Sequence, residues 1–224
     1  MCTIVVRLDP TGHPAVTLAA NRDEFRDRLA DDPGEIAPGV FAGRDRTAGG
    51  TWLAVSRHGL AALTNVRTGA RDGHAPSRGA LPLAALAGHL PADLAAYNAF
   101  NLLVVDRDGA RVVTHEGVGA PTTVVALGAG THVIDNEAFG RPSPRIARAT
   151  ALLATHPPDF VLLGDHGAGA EDGLCHHGEL YGTVSATIVA LDRDFHVVRY
   201  AHVSGPPCRG VPVDLTRRAH TVVG

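Results

Sequence analysis

The residue with the most informative position in this chain is Cys2, which directly follows the initiator methionine. Its small side chain permits removal of Met1, which would leave a thiol and a free α-amine on the same residue. Because an α-amine has a reference pKa of about 8, it can act as the general base for its own side chain. The sequence therefore predicts Cys2 as an N-terminal nucleophile. The alternative is a small buried residue near the start of a strand.

A run of polar and charged residues, Asn21-Arg22-Asp23-Glu24, follows the second apolar segment of the chain. At the end of a strand, these side chains could surround the start of a neighbouring strand, where Cys2 lies. Arg22 could lower the pKa of the thiol or hold an anionic group. Asp23 could accept a hydrogen bond from the α-amine of Cys2. The alternative interpretation is a solvated turn with internal salt bridges.

Two asparagines at the ends of apolar segments, Asn65 and Asn136, are further candidates. An asparagine side chain in such a place can donate a hydrogen bond to an oxyanion. Each is also open to interpretation as an ordinary turn residue. We retain both as candidate catalytic residues, together with Cys2, Arg22 and Asp23.

The run Cys175-His176-His177 contains residue types that bind metals. Adjacent residues of a strand point to opposite faces and adjacent residues of a helix diverge, so three consecutive ligands for one ion are awkward. We find no second cluster with the spacing of a zinc site and no glycine-rich phosphate cradle. The sequence therefore predicts neither a metal nor a cofactor.

The elements that must position these residues are mainly hairpins, with helices between them. Strands are predicted over 3–8 and 16–20, 52–56 and 60–64, 101–105 and 111–114, and 183–191 and 196–202. We expect two short helices within 78–99 and a helix over 143–154 with Ser143 as its N-cap. A long loop is predicted over 31–50, and an irregular strap after Ser204. This order predicts an α+β fold of mainly antiparallel sheets covered by helices.

Composition limits the location and the partners of the chain. Its 224 residues suffice for one domain, and a net charge of -3 gives no electrostatic reason to expect nucleic acid or an anionic membrane. The N-terminus lacks the pattern of a secretory signal, and no apolar run reaches the roughly 18 to 20 residues that span a bilayer. The three cysteines do not suggest a disulfide framework. We therefore expect a cytoplasmic protein, and the absence of lysine favours a GC-rich, bacterial genome.

Several segments together resemble the NRDE proteins, also called the transport and Golgi organisation protein 2 family. The similar blocks, in family order, lie at 1–4, 20–25, 48–53, 63–67, 77–79, 97–103 and 181–183. They include the tetrapeptide that names the family, at 21–24. The family in turn resembles the cysteine branch of the N-terminal-nucleophile hydrolases, such as choloylglycine hydrolases and penicillin V acylases. The resemblance implies a single domain over 1–224 with a four-layer αββα sandwich.

The resemblance also implies a set of site residues and a reaction. Cys2 would attack the carbonyl of a small-molecule amide. Arg22 and Asp23 look like the arginine and aspartate that follow the second strand of the acylases. Asn65 looks like their first asparagine, which orients the amine or binds the oxyanion, and Asn136 is a looser match to the second.

One position departs from the family pattern and keeps other functions open. Members often carry arginine after Tyr-Gly-Thr, whereas this chain has Val184. A hydrolase of carbon–nitrogen bonds is the first hypothesis, and it needs no cofactor. The alternative is a non-catalytic protein of the same fold that binds or transports haem or an acyl thioester, although Pro207-Cys208 is the reverse of a Cys-Pro haem motif. A degenerate structural relative is the third hypothesis, and Val184 favours it.

Overall fold

The computed structural model describes residues 2–68, 71–117, 119–169 and 171–224. They form two antiparallel sheets. The six-stranded sheet has the order β10-β1-β2-β11-β12-β13, with β1 (Thr3–Leu8), β2 (Val16–Phe25), β10 (Gly130–Ile134), β11 (Tyr181–Leu191), β12 (Val197–Ser204) and β13 (Val213–Asp214). The seven-stranded sheet runs in chain order, with β3 (Ala30–Ala37), β4 (Val40–Asp45), β5 (Leu53–Ser56), β6 (Gly59–Asn65), β7 (Phe100–Asp106), β8 (Gly109–His115) and β9 (Thr122–Leu127).

The two sheets pack face to face, helices cover their outer faces, and one further helix packs against the space between the sheets. The α-helices are α1 (Leu81–Leu86), α2 (Pro144–Leu153), α3 (Phe160–Leu163) and α4 (Thr216–Val223). One apolar cluster fills the space between the sheets, a second joins the seven-stranded sheet to α1, and a third joins the six-stranded sheet to α2 and α3. The predicted α+β class and four-layer αββα sandwich are confirmed.

Strand β1 illustrates how the sequence produces these layers. Its β-branched and apolar residues favour an extended chain. Ile4 and Val6 belong to the cluster between the sheets, whereas Val5 belongs to the cluster under the helices. Because successive side chains of a strand point to opposite faces, a strand buried on both sides needs an apolar run rather than an alternating pattern.

The segment 31–50, predicted as a loop, is mostly a hairpin, so that prediction was wrong. β3 and β4 pair antiparallel with two register irregularities. Pro33 is tolerated because β3 is an edge strand, and Gly39 makes the turn with a φ of 70°. At Gly43, an added Cβ would lie 2.8 Å from the ring of Trp52. The glycines and proline mark an edge hairpin here and not the absence of strands.

The prediction of an irregular strap after Ser204 was also wrong. The short strand β13 pairs with β12, and α4 follows it. Ala219 and Val223 of α4 are buried in the cluster between the sheets. This helix is short and has few apolar residues, and the prolines that precede it favour an irregular segment.

The remaining elements agree closely with the sequence. Every predicted hairpin is present, and Ser143 caps α2 by accepting a hydrogen bond from the Ile146 N–H at 3.0 Å. The region 78–99 contains α1 flanked by short 3-10 turns, instead of two α-helices. Strands β9 and β10 were not predicted. In the described part of the chain, no helix combines the length and hydropathy needed to cross a membrane.

One buried side chain ties the six-stranded sheet to its helical layer. The amide of Asn21 on β2 donates to the carbonyls of Leu163 at 2.9 Å and of Leu174 at 2.8 Å. Asn21 is 2% exposed. It therefore fixes both the end of α3 and the start of the segment that leads into β11.

We expect Asn21→Ala to lower the free energy of unfolding by about 2 to 4 kcal/mol, because two buried carbonyls lose their donor. Urea unfolding followed by circular dichroism measures the change. Asn98→Ala is the matched control, since Asn98 also makes two short hydrogen bonds to the backbone, at 2.8 Å each, but near the surface. Its cost should stay below about 1 kcal/mol. Equal effects of the two substitutions would contradict the anchoring role of Asn21.

Candidate active site

The pairing of β1 with β2 places Cys2 beside the charged run of β2. Thr3 is opposite Asn21 in the antiparallel register, so Cys2 lies at the level of Arg22. Cys2 is half-buried. Its thiol lies 3.9 Å from the backbone carbonyl of Asp23, to which it can donate. The prediction that these residues come together is therefore reproduced in the structure, whereas the predicted removal of Met1 lies outside the described residues.

Because successive side chains of β2 point to opposite sides of the sheet, the residues of the charged run face two different surroundings. Arg22 points into a cavity between the sheets' ends, together with Cys2. Asn21 and Asp23 point the other way, toward the helical layer, where they contact residues of α3 and α2. The run is thus an ordered strand and not the solvated turn of the alternative interpretation.

Arg22 is held by an aromatic ring and by two carboxylates. Its guanidinium lies 4.4 Å from the ring centre of Trp52, within the range of a cation–π interaction. It also lies 4.0 Å from Glu24 and 3.9 Å from Asp45. Arg28 makes the shorter contact with Asp45, at 2.8 Å. Arg22 therefore keeps hydrogen-bonding capacity for a ligand in the cavity.

Asp23 is a buried carboxylate with partners from three other segments. Thr183 on β11 donates to Oδ1 at 2.6 Å. Oδ2 lies 3.7 Å from Arg145 on α2 and 3.8 Å from His176. Burial raises the pKa of Asp23, while the hydrogen bond from Thr183 and the charge of Arg145 act in the opposite direction.

Arg145 and His176 form the support beneath Asp23. A guanidinium can only donate, and Arg145 donates to Nε2 of His176, so the ring proton of His176 must be on Nδ1. Burial, followed by the charge of Arg145, lowers the pKa of His176 to about 4. His176 is therefore neutral near pH 7. The positive charge that faces Asp23 on this side comes from Arg145.

Asn65 and Asn136 are joined to each other but face different spaces. Asn65 ends β6, its side chain is exposed, and it lines the cavity of Cys2. Within the described residues, that side chain makes no hydrogen bond, so it is available to a ligand. The amide of Asn136 donates to the backbone carbonyl of Asn65 at 2.6 Å. Asn136 lines a neighbouring cavity beside Arg145.

The cavity of Cys2 has a volume of about 320 Å³ and is lined by residues of both positive and negative charge. Its charged residues are Arg22, Arg28, Arg71, Arg78, Glu24, Asp45 and Asp72. Asp23 also borders the cavity, although its carboxylate is directed toward the helical layer. Arg78 donates to the carbonyl of Ala99 at 2.7 Å and forms no ion pair within the described residues. Burial is the main cause that lowers the pKa of Arg78 to about 10, which leaves it charged near pH 7.

The thiol of Cys2 is not activated by charge alone. Burial raises its pKa, and the charge of Arg22 lowers it by less. The expectation that Arg22 favours the thiolate is thus correct in direction but is outweighed by burial. A nucleophilic Cys2 in this environment needs a base to take its proton.

Several residues of the site were missed by the sequence analysis. Arg145, His176 and Thr183 reach Asp23 from distant parts of the chain, and Trp52 stacks on Arg22. Trp52 and Thr183 lie within the blocks that resemble the family, so the sequence could have indicated them. Arg145 lies just after a helix cap, and no local sequence pattern marks it as a site residue. Val184 lies at a bulge of β11.

A group of side chains that could hold a metal lies elsewhere in the described structure. It consists of His166, Cys175, His177 and Cys208. None of these residues lines the cavity of Cys2.

Comparison with solved structures finds similarity to the mutant C2A conjugated bile acid hydrolase from Clostridium perfringens. The similarity covers 97% of this chain and 93% of that chain, with 10% sequence identity and a TM-score of 0.50. At this identity the comparison concerns the fold, and it supports the predicted N-terminal-nucleophile hydrolase architecture. A comparison with curated proteins finds no match.

The sequence profile of the family described as Transport and Golgi organisation 2 matches residues 1–161. The matched region includes the first two strands, Asn65 and Asn136, and α2 with Arg145. The structural similarity extends over nearly the whole chain and agrees with the family resemblance of the sequence. The chain belongs to the Transport and Golgi organisation 2 (TANGO2) family.

Proposed function

We propose that the chain hydrolyses the carbon–nitrogen bond of a small-molecule amide, with Cys2 as the N-terminal nucleophile after removal of Met1. The observation that carries this proposal is the meeting of Cys2, Arg22 and Asn65 in one cavity, directly in front of the buried Asp23. A thiol, a cation and a free amide donor around one space are the groups that acyl transfer requires.

The reaction needs no group beyond the side chains and the new N-terminus. The α-amine of Cys2 takes the thiol proton, and the sulfur attacks the amide carbonyl to form a tetrahedral intermediate. Asn65 donates a hydrogen bond to the oxyanion. Collapse breaks the C–N bond, and the α-ammonium gives its proton to the departing amine. Water, deprotonated by the same amine, then cleaves the thioester and releases the acid.

Asp23 and its partners act as positioning residues in this scheme. The carboxylate would accept a hydrogen bond from the α-ammonium of Cys2, which keeps that group directed at the thiol. Arg145 supplies a buried guanidinium next to Asp23. Arg145 can therefore take the role of the arginine that family members often carry at the position of Val184. Asn136 holds the backbone of Asn65 and thereby its side chain.

The charges of the cavity favour a substrate that carries a carboxylate. Arg78 is charged, half-buried and without an ion pair among the described residues. A carboxylate that enters the cavity would therefore form a charge-assisted hydrogen bond with this guanidinium. An N-acyl amino acid has both the scissile amide and the carboxylate, and we propose this class of substrate.

Two further observations agree with the proposal. The similar solved structure is the mutant C2A of a conjugated bile acid hydrolase, so that protein has a cysteine at position 2 before the substitution. Three free cysteines suit the reducing cytoplasm, where we place the reaction. The non-catalytic carrier of haem or of an acyl thioester stays a prediction of the sequence.

One prediction tests the carboxylate site and concerns Arg78→Gln. We expect KM for an N-acyl amino acid to rise about 10- to 100-fold, because a charge-assisted contact is lost, with little change in kcat. The neutral carboxamide of the same compound should be hydrolysed equally by both proteins. Steady-state kinetics of both proteins with the two compounds measure the changes in KM and kcat.

Arg44→Gln is the matched control, since Arg44 is an exposed arginine of β4 that does not line the cavity. It should behave as wild type with both compounds. Equal losses on the carboxylate and the carboxamide after Arg78→Gln would indicate a structural role for Arg78. No loss on either would remove the proposed substrate class.

Another prediction concerns Asn65→Asp. The substitution preserves size, but a carboxylate repels a developing oxyanion, so we expect kcat to fall by at least about 10²- to 10³-fold with little change in KM. Because the side chain of Asn65 is exposed, the melting temperature should stay near that of wild type. Asn65→Ala should lose a similar activity. A stable and fully active Asn65→Asp protein would rule out the oxyanion assignment.

A further inference from the structure

A cluster of four metal-binding side chains lies outside the site of Cys2. It consists of His166, Cys175, His177 and Cys208, whose donor atoms all lie within 4.8 Å of one another. We propose that these residues bind one Zn²⁺ ion in tetrahedral geometry. The proposal is independent of the proposed hydrolase function.

The distances between the donor atoms fit a tetrahedral zinc ion. Sγ of Cys175 lies 3.6 Å from Sγ of Cys208 and 3.7 Å from Nε2 of His177. Nε2 of His177 lies 3.1 Å from Sγ of Cys208 and 3.1 Å from Nε2 of His166. Bonds of about 2.3 Å to sulfur and 2.0 to 2.1 Å to nitrogen, at tetrahedral angles, require donor separations of roughly 3.3 to 3.8 Å. The two separations from Sγ of Cys175 lie within this range and the two at 3.1 Å lie just below it, so small shifts of the side chains would place the four donor atoms around one ion.

Three segments supply the ligands, and the backbone holds two of them together. The carbonyl of Asp165 accepts hydrogen bonds from the N–H groups of Leu174 and Cys175, at 2.9 Å each. This fixes His166 beside Cys175. Cys208 lies in the turn after β12, where the N–H groups of Arg209 and Gly210 both bond to the Pro206 carbonyl.

The directions of neighbouring side chains explain how the run Cys175-His176-His177 serves two sites. Cys175 and His177 are two residues apart and point to the same side, toward the cluster. His176 points to the other side, toward Asp23. Three consecutive residues thus do not bind one ion here; the pair at alternate positions joins ligands from residues 166 and 208, which the local sequence does not reveal.

The types of the ligands select the metal and its role. Two thiolates and two neutral imidazoles form the Cys₂His₂ set of structural zinc sites, and they leave a neutral complex after the two thiols release their protons. Four protein ligands leave no open position for water or substrate. The ion would therefore stabilise the fold and would hold the segment that carries His176 beneath Asp23.

Cobalt substitution tests the site in the full-length chain. Reduced, metal-free protein is titrated with Co²⁺, and Zn²⁺ is then added. We expect one equivalent of Co²⁺ to give the intense visible bands of a tetrahedral ion and a thiolate-to-cobalt charge-transfer band, all of which Zn²⁺ abolishes. Zinc should also protect Cys175 and Cys208, but not Cys2, from iodoacetamide.

The variants assign the ligands. Cys175→Ser and Cys208→Ser should each lose the tetrahedral spectrum, and so should His166→Asn, which alters an exposed residue and so leaves the fold intact. Cys2→Ser and His89→Asn are the matched controls outside the cluster, and both should keep the spectrum. The proposal is overturned by weak octahedral bands in reduced wild-type protein or by a spectrum that survives in His166→Asn and Cys208→Ser. A Cys175–Cys208 disulfide that, once reduced, takes up no cobalt would overturn it equally.

Discussion

The burial of one carboxylate, that of Asp23, is the constraint on which the rest of the site depends. Its side chain is 0% exposed, and it is held by Thr183 from β11 and Arg145 from α2, with His176 close by. Removing one partner of a buried ion pair typically costs about 3 to 5 kcal/mol, so the strand, the helix and the segment before β11 are energetically linked at this point. The same contacts fix the end of β2 and hence the level at which Cys2 and Arg22 meet.

The alternation of side chains along β2 places a cavity-facing group directly next to this buried support. Arg22 faces the cavity while its neighbour Asp23 faces the helices, so one short run supplies both a ligand-binding cation and its structural anchor. The same two-residue period recurs in the segment at 175–177, where one side chain supports Asp23 and its two neighbours join the cluster of cysteines and histidines. The proposed zinc ion and the buried carboxylate therefore contact opposite sides of a single short segment.

The parts that could be predicted from the sequence depend on contacts between neighbours in the chain. The hairpin of β1 and β2 follows from apolar runs around a turn, and it suffices to bring Cys2 to Arg22. Contacts across long separations leave no such pattern: Arg145 lies more than a hundred residues from Asp23, and Cys208 is separated from Cys175 by β11 and β12. The hairpin of β3 and β4 was missed for a different reason, because an edge strand tolerates the glycine and proline that indicate a loop elsewhere.

The central claim is that Cys2, with its own α-amine, forms a thioester with the substrate. The most direct test is mass analysis of the N-terminal peptide after protein from cells is mixed with a panel of acyl p-nitroanilides and quenched in acid. The account predicts a peptide that begins at Cys2 and carries the acyl group on sulfur, from which hydroxylamine releases it. An active protein whose N-terminal peptide retains Met1, or in which Cys2 stays unmodified during turnover, would contradict the account.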